Sequence, residues 1–204
     1  FEGKKISTYD LAMTAANIEI NILGRSIGKQ DHFAASYGGF NIFTFNNDES
    51  VNVEKLAVTS AASNYLKNNL FLTWTGLTRD SSEILTSQLN ATNDKRDVLR
   101  KMKNLIPELK NILLSSSNIE KFGEILTLNW ELKRNLTNDI SNPLIDKYYN
   151  IGLSNGAIGG KLLGAGGGGF ILFLVKNDFH NTFKLSLPNL QHYQFGFDKH
   201  GSQI

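Results

Sequence analysis

Lys161–Phe170 reads KLLGAGGGGF, and the apolar run Phe170 to Val175 follows it at once. Eight of the chain's 18 glycines fall between Gly156 and Gly169, and Gly166 to Gly169 carry no side chains at all. Such a segment forgoes packing and loses more backbone entropy on folding than any other, so a purely structural loop rarely needs it. Its advantage is close approach, because unobstructed backbone N–H groups can line a surface that an anion touches. The apolar run reads as a buried strand anchoring the loop. A tight interstrand turn or a hinge is the competing structural reading.

Gly164, Gly166 and Gly169 match G-x-G-x-x-G. That fingerprint requires a strand before it and a helix after it, so that a helix N-terminus meets a pyrophosphate. Here the order is reversed. Asn142-Pro143 opens a helix over Pro143 to Ser154, with Asn at the cap and Pro in the first turn. Asn155-Gly156 closes that helix, and a strand comes after the glycines. A G-x-x-x-x-G-K-[ST] loop is also missing, so both common nucleotide motifs are excluded.

The glycine stretch resembles the third, C-terminal motif of the GHMP small-molecule kinases. Upstream, IGKQDHFAASYGGFN (Ile27–Asn41) is similar to the segment that carries this family's active-site aspartate. With TGLTRDSSEI (Thr75–Ile84), the wording is most like the bacterial branch acting on D-glycero-D-manno-heptose 7-phosphate. The family's N-terminal substrate segment and its Pro-x-x-x-Gly-Leu-Gly-Ser-Ser phosphate loop are absent. The chain is therefore expected to be a C-terminal portion, inactive alone.

The resemblance implies an α+β fold of two domains with the active site in the cleft between them. Residues 1–64 would be the remainder of the N-terminal domain. Residues 65–204 would be the C-terminal domain, ferredoxin-like with added helices. The order of elements read from the sequence also fits an α+β protein.

Ser7-Thr8-Tyr9-Asp10 starts a helix in the manner of a capping box, and Leu11, Ala15, Ile18 and Ile22 recur at helical spacing before Gly24 ends it. Glu19 on this helix reads as a solvated flank residue; the resemblance implies a magnesium ligand. Asp31 follows Gly28-Lys29-Gln30. By pattern alone it reads as the cap of a short helix, Asp31 to Ser36. The resemblance implies instead the catalytic carboxylate that orients or deprotonates the attacking hydroxyl. Lys29, Tyr37 and Gly38 are assigned to the substrate, although Tyr37 could equally wedge the core at its turn.

Phe40 to Phe45 and the Val51, Val53 alternation form a hairpin around Asn46–Glu49. Leu70 to Thr75 is a further strand. Beyond it Thr78, Arg79, Ser81 and Ser82 lie just ahead of a helix start, the ingredients of a phosphate site. The alternative is a surface pair of Arg79 with Asp80 or Glu83. Lys95 to Leu136 reads as an amphipathic helical layer, one helix striped by Val98, Met102, Leu105, Leu109 and Ile112 and kinked at Pro107, and a partner helix with Phe122, Ile125, Leu126, Trp130 and Leu132. Tyr193, Phe195 and Phe197 alternate as a last strand, and the four histidines are read as surface or structural.

Composition adds exclusions. The chain has 204 residues, 41% hydrophobic and 20% charged, with a net charge of +2. No basic stripe suggests nucleic acid. The absence of cysteine excludes disulfides and thiolate metal sites. With no membrane-length apolar run and no signal peptide, a cytoplasmic protein is expected. The resemblance implies ATP and Mg²⁺ as cofactors and a sugar phosphate as substrate, with Gly164, Ala165, Gly166, Gly167 and Gly168 shaping the cleft beside the triphosphate. It is compatible with a homodimer. Two alternatives are a kinase for a neutral sugar such as fucose or galactose, and a sugar-phosphate-binding module without catalysis.

Overall fold

The computed structural model describes residues 6–78, 84–88 and 95–203. It divides into two compact units, Phe1–Ala57 with Phe197–Ile204, and Val58–Gly196. The expected boundary at residue 64 would cut the helix Ser60–Asn69 (α3), which stays whole within the second unit. Its Leu66 is fully buried, and the Thr59 N–H ahead of it donates to Leu113 O at 3.3 Å.

The first unit holds α1 (Thr8–Asn17), α2 (Gln30–Tyr37) and the hairpin β1 (Asn41–Phe45) with β2 (Val51–Lys55). Ser7 caps α1 as its sequence requires: Asp10 N–H donates to Ser7 Oγ at 3.0 Å, and Ser7 Oγ to the Asp10 carboxylate at 2.6 Å. The stripe read on this helix is corrected. Ala12 and Ala16 are buried, whereas Ile18 and Ile22 are 45% and 69% exposed. Small residues at i and i+4 let α2 approach α1, a contact that a search for bulky apolar residues does not see. Around Phe33, fully buried on α2, the rings of Tyr9, Tyr37, Phe43 and Phe45 gather with centroids 5.6–6.1 Å away.

The second unit is a four-stranded antiparallel sheet of β3 (Leu70–Trp74), β4 (Ala157–Leu162), β5 (Phe170–Val175) and β6 (Gln191–Tyr193), in the order β4-β5-β3-β6. Helices α4 (Arg96–Lys103), α5 (Ile106–Ser115), α6 (Lys121–Arg134) and α7 (Pro143–Ser154) lie between β3 and β4, and α8 (His180–Ser186) between β5 and β6. This β-α-β-β-α-β sequence with that strand order is the ferredoxin-like arrangement with added helices. Phe71, Ile171 and Phe173 from the sheet meet Trp130, Ile145, Tyr149 and Phe183 from the helices in the core.

Two further expectations are corrected. The stretch from Lys95 is three helices, not a kinked helix and its partner: Pro107 sits in the first turn of α5, where it is tolerated. Ser116 in the left-handed region ends α5 (φ 57°). The last strand stops at Tyr193, because β6 pairs only with Leu72–Trp74. Phe197 belongs instead to the first unit, where its ring meets Phe40 at 4.6 Å.

Candidate active site

The glycine loop joins β4 to β5, and its backbone is tied from several sides. Leu163 N–H donates to Phe170 O, Gly167 N–H to Ile140 O and Gly169 N–H to Leu77 O, each at 2.9 Å. Gly169 O accepts from Thr75 N–H at 3.0 Å and from Thr75 Oγ1 at 2.7 Å. The side chain of Gln88 donates to Ala165 O at 2.9 Å, and Lys133 Nζ donates to Gly164 O. A Cβ on Gly166 would lie 2.8 Å from Ile140 Cα, and one on Gly168 2.7 Å from Leu77 O. Gly166 also adopts φ +124°, a region that side chains disfavour. The glycines are thus needed for backbone packing as well as for access.

Four N–H groups of the loop, those of Gly164, Ala165, Gly166 and Gly168, donate to no acceptor among the described residues. All four residues line an open pocket of about 320 Å³. Trp74, Leu77 and Thr78 face them across it, and Trp74 packs on Phe170 with ring centroids 4.9 Å apart. Unspent backbone donors beside an aromatic surface suit a ligand with anionic oxygens and a flat or apolar part. Thr78, expected at a phosphate site, is exposed at this pocket. Arg79, with Asp80, Ser81 and Ser82, lies outside the described residues.

In the first unit the chain leaves α1 through a π-helical turn, Ile18–Ile22, which carries Glu19. Both Glu19 oxygens have partners: Oε1 lies 3.2 Å from Arg25 Nη1, and Oε2 lies 2.8 Å from His32 Nε2. His32 is the residue after Asp31, and its side chain is 10% exposed. Neither Arg25 nor His32 was singled out in the sequence as a partner of Glu19. The H that follows the D of GKQDH was the available signal.

Asp31 sits in the first turn of α2, whose cap position is Lys29. The carboxylate is exposed and meets no hydrogen-bond donor or cation among the described residues. The reading of Asp31 as a cap is therefore set aside: the helix begins one residue earlier. Lys29 turns away to the hairpin loop, where Nζ meets Glu49 Oε2 at 2.9 Å and Glu49 O at 3.3 Å. Tyr37 stacks on Phe33 at 6.1 Å within the aromatic cluster. Burial, with Tyr9 and Asp10 nearby, raises its hydroxyl pKa. Gly38 (φ +58°) ends α2 where a Cβ would fall 2.2 Å from Gly201 N.

No group of three or more metal-ligating side chains occurs among the described residues. Mg²⁺ does not require one, since it binds through one or two carboxylates together with phosphate oxygens and water. Glu19 fits that pattern, because each of its oxygens keeps a lone pair beyond the one facing Arg25 or His32.

Residues 102–182, spanning α5, α6, α7, β4, the glycine loop and β5, match the family model of the GHMP kinases C terminal. Over that stretch the chain is similar to the C-terminal domain of GHMP kinases. It is 29% identical over 200 residues to a D-glycero-alpha-D-manno-heptose 7-phosphate kinase from Campylobacter jejuni, covering 96% of this chain and 59% of that protein. A bifunctional fucokinase/GDP-fucose pyrophosphorylase of Arabidopsis thaliana is 28% identical over 116 residues, 55% of this chain and 11% of its own length. The fold superposes on a crystal structure of mevalonate kinase with a TM-score of 0.66 at 26% identity, covering 94% of this chain and 57% of the kinase. The chain thus spans under two thirds of the relatives it matches. Among the described residues, no helix is long and apolar enough to cross a membrane.

Proposed function

We propose that this protein transfers the γ-phosphoryl group of ATP to the anomeric C1 hydroxyl of a sugar phosphate, D-glycero-D-manno-heptose 7-phosphate, giving the 1,7-bisphosphate. The reading concerns the polypeptide that also supplies the rest of the relatives' length. The helix and hairpin unit is assigned to the family's N-terminal domain and the sheet unit to its C-terminal domain. The observation that carries the proposal is the glycine-loop pocket, with four unspent N–H groups on its lining residues. Similarity to a heptose 7-phosphate kinase along 96% of the chain supports the choice of sugar.

Asp31 is the proposed catalytic residue. Its exposed, unpaired carboxylate can accept a hydrogen bond from the C1 hydroxyl, orienting it and receiving its proton as the oxygen attacks phosphorus. Glu19, held from two sides by Arg25 and His32, presents a carboxylate to Mg²⁺, which when bound offsets charge on the phosphate oxygens. The glycine loop supplies donors to anionic oxygens without side chains that would hold them away. Lys29, Tyr37, Gly38, Thr78 and Arg79 are proposed to position the sugar phosphate. Such catalysis rests chiefly on positioning and on charge neutralisation.

The test is turnover of heptose 7-phosphate by the complete protein with ATP and Mg²⁺, followed by phosphorus NMR of the product. Fucose and galactose are run in parallel, because the fucokinase similarity favours a neutral sugar as the second reading. Arg79→Ala should raise the KM for the heptose phosphate by about 10- to 100-fold, the worth of a charge-assisted contact, and leave that for ATP nearly unchanged. Turnover of fucose with none of the heptose phosphate would replace the substrate. No turnover of any sugar would leave the binding-module reading.

A further inference from the structure

We propose that Lys133 and Lys161 form an anion-binding subsite beside the glycine loop, built to take a phosphoryl group. Lys133 lies in the last turn of α6, and Lys161 is the penultimate residue of β4. Lys161 Nζ donates to Asn129 Oδ1 at 2.6 Å, and Asn129 is one turn from Lys133 on the same helix. Lys133 Nζ donates to Gly164 O. Since Gly164 also lines the pocket, the Lys133 ammonium is one hydrogen bond from the pocket wall. Strand register puts Lys161 opposite Leu172, which lies opposite Leu72. Alternation places these on the sheet face that also carries Trp74 and Phe170.

Each half-buried ammonium has three N–H donors, and here each spends one on a neutral oxygen. No carboxylate lies within ion-pair distance of either among the described residues. Two like charges partly withdrawn from water, with spare donors and no counterion, cost free energy unless an anion joins them. Burial first and the neighbouring Lys161 second push the Lys133 pKa down to about 8, and burial lowers that of Lys161. These are the marks of cations lacking their partner. The unspent N–H groups of Gly164 and Ala165 follow Lys161 after Leu162 and Leu163. A phosphate or diphosphate oxygen, with several lone pairs and more than one negative charge, satisfies both kinds of donor.

The subsite stands on side chains of the second unit alone and is independent of the phosphoryl-transfer reading. Its occupant can be a nucleotide phosphate or the phosphate of a sugar. The experiment uses the 204-residue chain. Inorganic pyrophosphate is titrated by calorimetry into the wild type and into Lys133→Met, Lys161→Met and, as a control on an exposed lysine, Lys67→Met. Each of the first two should weaken binding about tenfold or more, while Lys67→Met stays within about twofold. Should a variant misfold by circular dichroism, acetic anhydride labelling of the wild type replaces it. Pyrophosphate should slow acetylation of Lys133 and Lys161 relative to Lys67. Repeating the protection with ATP and with mannose 6-phosphate tells a nucleotide source from a sugar phosphate, and protection by either supports the subsite. Absence of pyrophosphate binding to the folded wild type, binding unchanged in both variants, or equal labelling with and without pyrophosphate overturns it.

Discussion

The glycine loop and the start of α2 make opposite use of the backbone. In the loop the proposed chemistry rests on peptide groups: Gly167 and Gly169 spend their N–H groups on Ile140 O and Leu77 O, and Gly164, Ala165, Gly166 and Gly168 keep theirs free. At α2 the backbone is an ordinary helical turn, and the proposed chemistry rests on side chains, Asp31 exposed and His32 turned inward to Glu19. A site made of peptide groups cannot be altered without altering the fold. One made of projecting side chains can be disarmed while the fold stands. The two regions should therefore separate stability from turnover when mutated.

The largest expected effect is on turnover. Asp31→Asn in the complete, active protein should lower kcat by roughly 10²–10⁴-fold, the usual range for loss of a general base. Its melting temperature should stay close to wild type, because the carboxylate holds nothing among the described residues. Normal turnover would remove Asp31 from the chemistry. A large fall in melting temperature would end the contrast between the two regions.

Next comes the loop, where stability should fall first. Gly166→Ala forces a Cβ to 2.8 Å from Ile140 Cα at φ +124°, whereas Gly169→Ala meets open space at φ +94°. Positive φ alone should cost about 1–2 kcal/mol at both positions. The clash should bring Gly166→Ala to roughly 3 kcal/mol or more, since the obstructing atoms are backbone. Urea unfolding of the 204-residue chain measures both. Equal losses would mean that the loop can shift away from Ile140 and that its backbone is less constrained than its hydrogen bonds suggest.

A smaller effect tests how the loop is anchored. Thr75 is 2% exposed, and its Oγ1 donates to Gly169 O at 2.7 Å. Thr75→Val keeps the shape and removes that donor together with the acceptor of the Leu77 N–H at 3.3 Å, while Gly169 O retains the Thr75 N–H. About 0.5–1.5 kcal/mol should be lost. No loss at all would assign the anchoring to the strand pairing alone.

What the sequence disclosed follows from range. Features written within one turn or one strand were legible: the Ser7 cap, the Asn142-Pro143 start of α7, the β1–β2 hairpin and the buried strand after the glycines. The ferredoxin-like sheet was legible through resemblance, and the family match over residues 102–182 agrees with it. Features that depend on partners far along the chain were not. Gly38 against Gly201 and Lys133 on the carbonyl of Gly164 join residues that no local pattern relates. Nor does apolar periodicity reveal that Ala12 and Ala16, rather than the larger Ile18 and Ile22, face the core. Side-chain size is a poor guide where helices come close.

The smallest expected effect is a dependence on pH, and it bears on the loop's one charged anchor. Lys133 titrates near 8 in the folded chain, against 10.5 for a free side chain, because burial and Lys161 disfavour its charge. Between those two values the unfolded chain holds more protons than the folded one, so this group makes stability rise as pH rises through about 8. Below pH 8 its buried charge counts against the fold; above 10.5 the difference is complete and constant. Lys133→Met removes that dependence together with the bond to Gly164 O. Relative to wild type, the variant should therefore look best near pH 7 and worse near pH 9.5. The change should stay below about 1 kcal/mol, because solvent screens a half-buried group. Lys161, also lowered by burial, adds a change of the same sign in both proteins, so it largely cancels in the comparison. Paired urea titrations at the two pH values give the difference directly. A variant that stands the same against wild type at both pH values would mean that Lys133 is charged at no cost to the fold. The loop's charged anchor would then be a surface contact, and the two regions would differ less than their geometry indicates.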